Sequence, residues 1–141
     1  MLSSKEGNII AVKLEEGEDL FESLEAIRKK FGIKSGYVLF GIGALSDFEL
    51  GYFEKGKGYS RNKFKEPHEL IALHGSIAES EQSLHLHAAL ANKKKQVIGG
   101  HLFSAKANPL VELLILKLSK TRLTRKLNKA TNLNELFIKS K

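Results

Sequence analysis

The sequence predicts an α+β fold, a mostly antiparallel β-sheet carrying one main helix. Three observations predict it. Apolar alternation with a period of two recurs along most of the 141 residues. A helical stripe occurs clearly once, at Leu20, Phe21, Leu24, Ile27 and Phe31. No internal repeat divides the chain, and 42% hydrophobic with 28% charged residues suits one globular domain over 1–141 that buries its own core.

Taken in order, Asn8–Leu14 is rich in β-branched residues and reads as the first strand. Gly17 breaks it. Asp19 is placed to cap the helix, with Glu22 three residues on as its capping-box partner. Arg28, Lys29 and Lys30 fall in the last turns, where cations complement the helix dipole, and Gly32 can take the left-handed terminus. Gly36–Leu45 is nearly all apolar, the pattern of a strand buried on both faces. Its Gly41-Ile42-Gly43 resembles a phosphate loop but lacks a third glycine in register and a following helix. Glycines that bend a strand or admit close backbone explain it better.

Phe48–Phe53 alternates as a further strand, Lys55–Tyr59 is a turn, and Ser60–Lys65 is a short edge strand stopped by Pro67. Glu69–Ala78 is a strand carrying His74, with His68 at its entrance; each of these histidines, taken singly, suits a structural or surface role. Val111–Leu118 alternates near its end and follows Asn108-Pro109, so strand is preferred to helix. Asn128–Asn134 reads as a turn region and Leu136–Ile138 as a last apolar patch.

Chemistry is concentrated in Ser83–Leu102. Leu84, His85, Leu86 and His87 alternate strictly, which turns the two histidines to one face and the leucines to the other. Asn92–Lys95 is turn-prone, and Gln96–Phe103 forms a second arm ending in Gly99-Gly100-His101-Leu102. In an antiparallel hairpin, opposed residues share a face and a slip of one residue reverses every side chain. A loop centred on Lys93 sets His101 opposite His85; one centred on Lys94 sets it opposite His87. Either odd-numbered loop gathers three imidazoles on one face, with Leu84, Leu86 and Leu102 on the other. Such a trio suits Zn²⁺ or a similar borderline metal, with a fourth position left for water or substrate. Ligation requires neutral imidazoles, so occupancy is expected to fall as pH drops through about 6.5.

No cysteine is present, which excludes disulfides and thiolate metal sites. No apolar run approaches the ~20 residues of a membrane span, and the N-terminal residues lack the order of a signal peptide, so a cytoplasmic location is expected. The net charge of +7 is segregated. Residues 1–116 are balanced, whereas 117–141 hold eight Lys/Arg against Glu135 alone. A basic segment of this kind is an electrostatic footprint for phosphate backbones or a solvated face, and Arg122, Arg125 and Lys126 are the candidate nucleic-acid contacts. No aromatics interleave with them, which argues against single-strand stacking.

Gly17-Glu-Asp-Leu20, Gly41-Ile-Gly-Ala-Leu45, Leu50-Gly-Tyr52, Glu69-Leu-Ile-Ala-Leu73, His85-Leu-His87 and Gly99-Gly-His-Leu102 occur in the order and spacing of the plants and prokaryotes conserved domain (PPC, also DUF296). The resemblance runs from about Asn8 to Leu127 and is to a stand-alone prokaryotic or archaeal-type member. It implies an α+β fold assembled as a homotrimer. In plants the domain accompanies AT-hook DNA-binding motifs, and prokaryotic members are described as DNA-binding by that association. This sequence has no Arg-Gly-Arg-Pro hook and keeps all three hairpin histidines, where plant domains resemble Tyr-Leu and Gly-Gly-Ser. The fold is also similar to that of acetolactate decarboxylase, in which three histidines hold zinc. Only that arrangement carries over, onto His85, His87 and His101.

Three functions follow as expectations. The first is a trimeric DNA-binding or regulatory protein with a three-histidine zinc site. The second is a metal-dependent lyase or hydrolase, for which Glu69, Glu79 and Glu81 are the nearby acid–base groups in sequence. The third is a trimer that presents a surface to another protein.

Overall fold

The computed structural model describes residues 1–140. Nine strands and one helix run in the order β1 (Leu2–Glu6), β2 (Ile9–Leu14), α1 (Leu20–Lys30), β3 (Gly36–Glu54), β4 (Gly58–Phe64), β5 (His68–Ile77), β6 (Leu84–Ala91), β7 (Val97–Lys117), β8 (Thr121–Asn128) and β9 (Leu133–Ser140). The first seven strands make one sheet in the order β1-β2-β7-β6-β5-β3-β4, every pairing antiparallel. β7 also pairs with β3, so β3, β5, β6 and β7 close on one another in a ring. β8 and β9 form a separate two-stranded sheet. The predicted α+β class with a mostly antiparallel sheet and one helix is what forms. Among the described residues no helix is long and apolar enough to cross a membrane.

The helix forms where its signals lie. Asp19 Oδ1 accepts from the Phe21 and Glu22 amides at 2.9 and 3.0 Å, satisfying two of the first-turn donors. Leu20, Leu24 and Ile27 are buried, and Phe21 and Phe31 pack against the same core. Gly32 ends the helix at φ +59°, a conformation that costs glycine little.

Four local readings differ from the structure. The two strands expected over Gly36–Leu45 and Phe48–Phe53 are one strand, β3. The two expected over Gln96–Phe103 and Val111–Leu118 are likewise one, β7. The interruptions are absorbed as register shifts where β3 pairs β7, between Ser46 and Glu49 among other places, so turn-like residues bend the pair without ending it. β3 is not buried on both faces: Leu39, Phe40 and Ile42 are 40–45% exposed. β1 and β9 lie in stretches whose weak alternation gives no strand signal. The Gly41-Ile42-Gly43 segment is a close-approach device. A Cβ on Gly41 would sit 2.6 Å from Leu113 Cδ2, and Gly43 lies at φ +132° with the Leu110 carbonyl 2.2 Å from where its Cβ would be.

The core is one cluster that runs from Ile10 and Leu14 through α1 to Leu86, Leu90, Leu102 and Ile115. The alternation in β6 therefore divides its residues as expected, leucines inward and histidines outward. Gly75 lets β5 and β6 approach at this place, because a Cβ there would lie 2.2 Å from the His85 carbonyl oxygen. Gly75→Ala should destabilise the fold by about 1–3 kcal/mol, the usual cost of forcing extra volume into a packed site. Urea denaturation would measure it, and an unchanged midpoint would show that β5 and β6 can separate freely.

Candidate metal centre

The register of the β6–β7 hairpin places the site. Leu86 pairs with Leu102, His87 with His101 and Ala91 with Val97, so the five-residue loop Asn92–Gln96 is centred on Lys94. Asn92 organises that loop. Its Oδ1 accepts from the Lys94 and Gln96 amides at 2.9 and 3.1 Å, and its backbone carbonyl accepts from the Lys95 amide at 2.8 Å. Lys95 takes φ 63° to complete the turn. Of the two registers open from sequence, the one with His101 opposite His87 is adopted.

The three imidazoles converge. Ring centroids are 5.1 Å apart for His85–His87, 4.9 Å for His85–His101 and 5.4 Å for His87–His101. One nitrogen from each lies within 4.8 Å of the other two, and the Nε2 atoms of His85 and His87 are 3.1 Å apart. Nitrogens at about 2.0–2.1 Å around a tetrahedral ion would be roughly 3.3 Å from one another, so small rotations suffice. Exposure is graded, with His87 exposed, His85 half-buried and His101 buried at 7%. His101 lies against the Tyr59 and Phe103 rings at 5.0 and 4.5 Å, and its buried Nδ1 has no hydrogen-bond partner among the described residues. A buried nitrogen without a partner is costly, and an all-nitrogen set of this spacing suits zinc or another borderline divalent ion. The residues fit a metal.

Electrostatics favour the neutral ligand form. Burial lowers the His85 pKa to about 4, helped by the Arg125 guanidinium and by His87. Burial likewise lowers His101 to about 4, helped by His85 and His87 and then by Arg61 and Arg125. Both rings are thus uncharged well below neutrality, which moves the expected loss of ligand capacity more acid than 6.5 for these two.

The other sequence candidates lie elsewhere. His68 opens β5 and its Nδ1 donates to the Glu66 carbonyl at 2.9 Å; His74 Nδ1 donates to the Leu39 carbonyl at 2.7 Å. Glu79 is engaged by Arg122 at 2.8 Å and Lys34 at 3.7 Å, and Glu69 pairs with Ala91 at the loop end of β6. Arg122, Arg125 and Lys126 share β8 but not a surface. Arg122 reaches Glu79, Lys126 sits over the Phe137 ring at 5.1 Å, and Arg125 turns inward to Ser76 Oγ at 2.7 Å. Arg125 lines a cavity of about 390 Å³ with His85, His101, Tyr59 and the start of β9. Tyr59 and the inward position of Arg125 escaped the sequence reading. The docking of β8 that sets Arg125 runs through Ser35 Oγ to the Leu123 amide and Ser80 Oγ to the Arg125 amide, contacts with no periodic signal.

Comparison with known proteins gives one family. The model of the Plants and Prokaryotes Conserved (PCC) domain matches residues 1–119. Among solved structures, a "putative DNA binding protein" of Bacteroides thetaiotaomicron is 30% identical with a TM-score of 0.88, covering 96% of each chain. A "metal-containing protein" of Archaeoglobus fulgidus is 28% identical with a TM-score of 0.85, covering 97% of this chain and 99% of the other. A plant- and prokaryote-conserved protein of Pyrococcus horikoshii is 30% identical with a TM-score of 0.82, covering 95% and 94%. The chain spans only 14% and 20% of the length of the two curated Synechococcus relatives it matches, both named bifunctional protein GlmU, at 31% and 28% identity.

The depressed histidines also bear on stability. In the unfolded chain imidazoles gain a proton near pH 6.5, whereas folded His85 and His101 gain one only near 4. Between those values the unfolded state binds more protons, so stability falls as pH is lowered from 6.5 to 4. Thermal melts of EDTA-treated protein across that range should show the decline, and His85→Gln/His101→Gln should flatten it. Parallel wild-type and variant profiles would exclude these two rings as its cause.

Proposed function

This chain belongs to the Plants and Prokaryotes Conserved domain family, and on that premise we propose that it is a zinc-binding member acting as a homotrimer, with the metal held by His85, His87 and His101. The observation that carries the reading is the convergence of three imidazoles, one of which, His101, has a buried nitrogen without a hydrogen-bond partner among the described residues. The likeness to the metal-containing protein of Archaeoglobus fulgidus supports it. Bound zinc with one position open would supply a Lewis acid able to bring bound water to a pKa of about 7. The protein's part is orientation: Tyr59 and Phe103 wedge the His101 ring, and the β6–β7 pairing fixes the other two. Support for self-assembly comes from Leu39, Phe40, Ile42 and Ile71, apolar and 40–50% exposed on β3 and β5, which an interface between copies would cover.

A second reading, DNA binding, is favoured by the likeness to the "putative DNA binding protein" of Bacteroides thetaiotaomicron and by the basic β8–β9 segment. It would act through phosphates, with Arg122 and Lys126 at the exposed surface. Arg125, turned inward, is the least suited of the three candidates to such contacts.

Metal analysis of protein purified without chelators should find near-stoichiometric zinc, lost in His85→Ala/His87→Ala; metal-free wild-type protein would end the zinc reading. For DNA, duplex affinity should fall with a steep slope of log K against log salt, and Lys126→Ala should reduce that slope by about 0.9 if it neutralises one phosphate. No complex at micromolar protein and physiological salt would remove the second reading.

A further inference from the structure

The chain has four arginines, and three make ion pairs: Arg28 with Glu25, Arg61 with Glu49 and Arg122 with Glu79. Arg125 makes none among the described residues, although it is half-buried and its Nε is fully enclosed without a hydrogen-bond partner. Only its Nη2 is engaged, by Ser76 Oγ at 2.7 Å. Removing a guanidinium from water without a counter-charge is unfavourable, and a fold gains nothing from it unless something else supplies the anion. Arg125 stands in the wall of the cavity that His85 and His101 also line, about 390 Å³ in volume and within the range of small-ligand sites. Glu135 is in the same wall, but its Oε1 accepts from Asn128 at 2.8 Å and Thr131 at 3.0 Å, and it forms no ion pair with Arg125.

We propose that Arg125 is the anion anchor of a small-molecule subsite beside the three histidines, and that the ligand is a small oxyanion, a carboxylate or a phosphate. A planar guanidinium with an uncommitted edge takes such groups through paired N–H donors. A ligand held there would present its remaining atoms toward the imidazole cluster. As half of a shared site this rests on the zinc reading; as an anion site it rests on Arg125. β8 lies beyond residue 119, where the family match ends, so the anchoring arginine comes from outside the matched segment while His85 and His101 lie within it.

Calorimetric titration with malonate and with inorganic phosphate, on zinc-loaded and on EDTA-treated protein, tests it. Wild type should bind one or both, the two arms separating carboxylate from phosphate preference. Arg125→Gln should weaken binding at least ~10-fold, as expected for losing a charge-assisted pair. Arg122→Gln, a cation three residues away held by Glu79, should leave it unchanged. Arg125→Lys keeps the charge without the fork and should show a partial loss, which decides the matter if the glutamine variant does not fold. Anion binding by EDTA-treated wild type that is lost in Arg125→Gln would uphold the subsite even if no zinc were found. Undetectable binding of both probes, equal affinity in wild type and Arg125 variants, or a loss confined to duplex DNA would overturn it.

Discussion

The side chain of Asn92 closes a five-residue turn, and the placement of three imidazoles depends on that closure. A turn of this length pairs His87 with His101 and, through the two-residue period of β6, keeps His85 on their face. Insertion or loss of one loop residue would move His101 to the core side and push Leu102, 1% exposed, toward solvent. Core burial and the histidine cluster therefore enforce the same register. Leu86 and Leu102 hold the hairpin to the core because they are apolar, and the histidines gather because they are the residues between.

The cluster is also tied to the most extensively paired part of the sheet. β3 and β7 pair along most of their lengths, and the ring through β5 and β6 leaves β6 with neighbours on both edges. His85 is opposed by Ser76 and His87 by His74, while His101 lies opposite Gly51 of β3 as well as His87. Rings positioned on strands paired on both sides lose little further freedom on binding a ligand, which is what a preorganised site requires. Burial supplies the complementary electrostatics by keeping His85 and His101 neutral at physiological pH. Those two rings can accept a dication without first releasing protons.

Much of this was legible in the residues because it is local. The cap at Asp19, the stripe from Leu20 to Phe31 and the alternation of Leu84–His87 each lie within one element, and the hairpin register reduces to counting across one loop. What escaped is set by distant partners. Ser46 and Asp47 look like a turn between strands, yet pairing with β7 carries β3 through them as a bulged bend. The open face at Leu39, Phe40 and Ile42 reads as buried, because apolarity reports only that a residue is better covered and not by which chain. The direction of Arg125 depends on Ser35 and Ser80, whose hydroxyls accept from the Leu123 and Arg125 amides across 88 and 45 residues of sequence, and such contacts leave no periodic trace.

Charge density in the C-terminal segment is a weak guide to what its cations do. Residues 117–141 hold the whole of the net charge, and a reading from composition makes Arg122, Arg125 and Lys126 alike candidates for nucleic-acid contact. The pleat of β8 separates neighbours, and its docking separates residues that the pleat does not. Arg122 is spent on a carboxylate of the main sheet, Lys126 rests on an aromatic ring at the exposed side, and Arg125 enters the histidine cavity. An interior cation raises the energy of any further positive charge nearby, as Arg125 does for His85 in addition to the larger effect of burial, and lowers that of a negative one by the same Coulombic interaction. The electrostatic contribution of this segment at the histidines is thus to favour anions in the cavity, while its exposed lysines face solvent. One hairpin can meet both demands because its two faces see different surroundings.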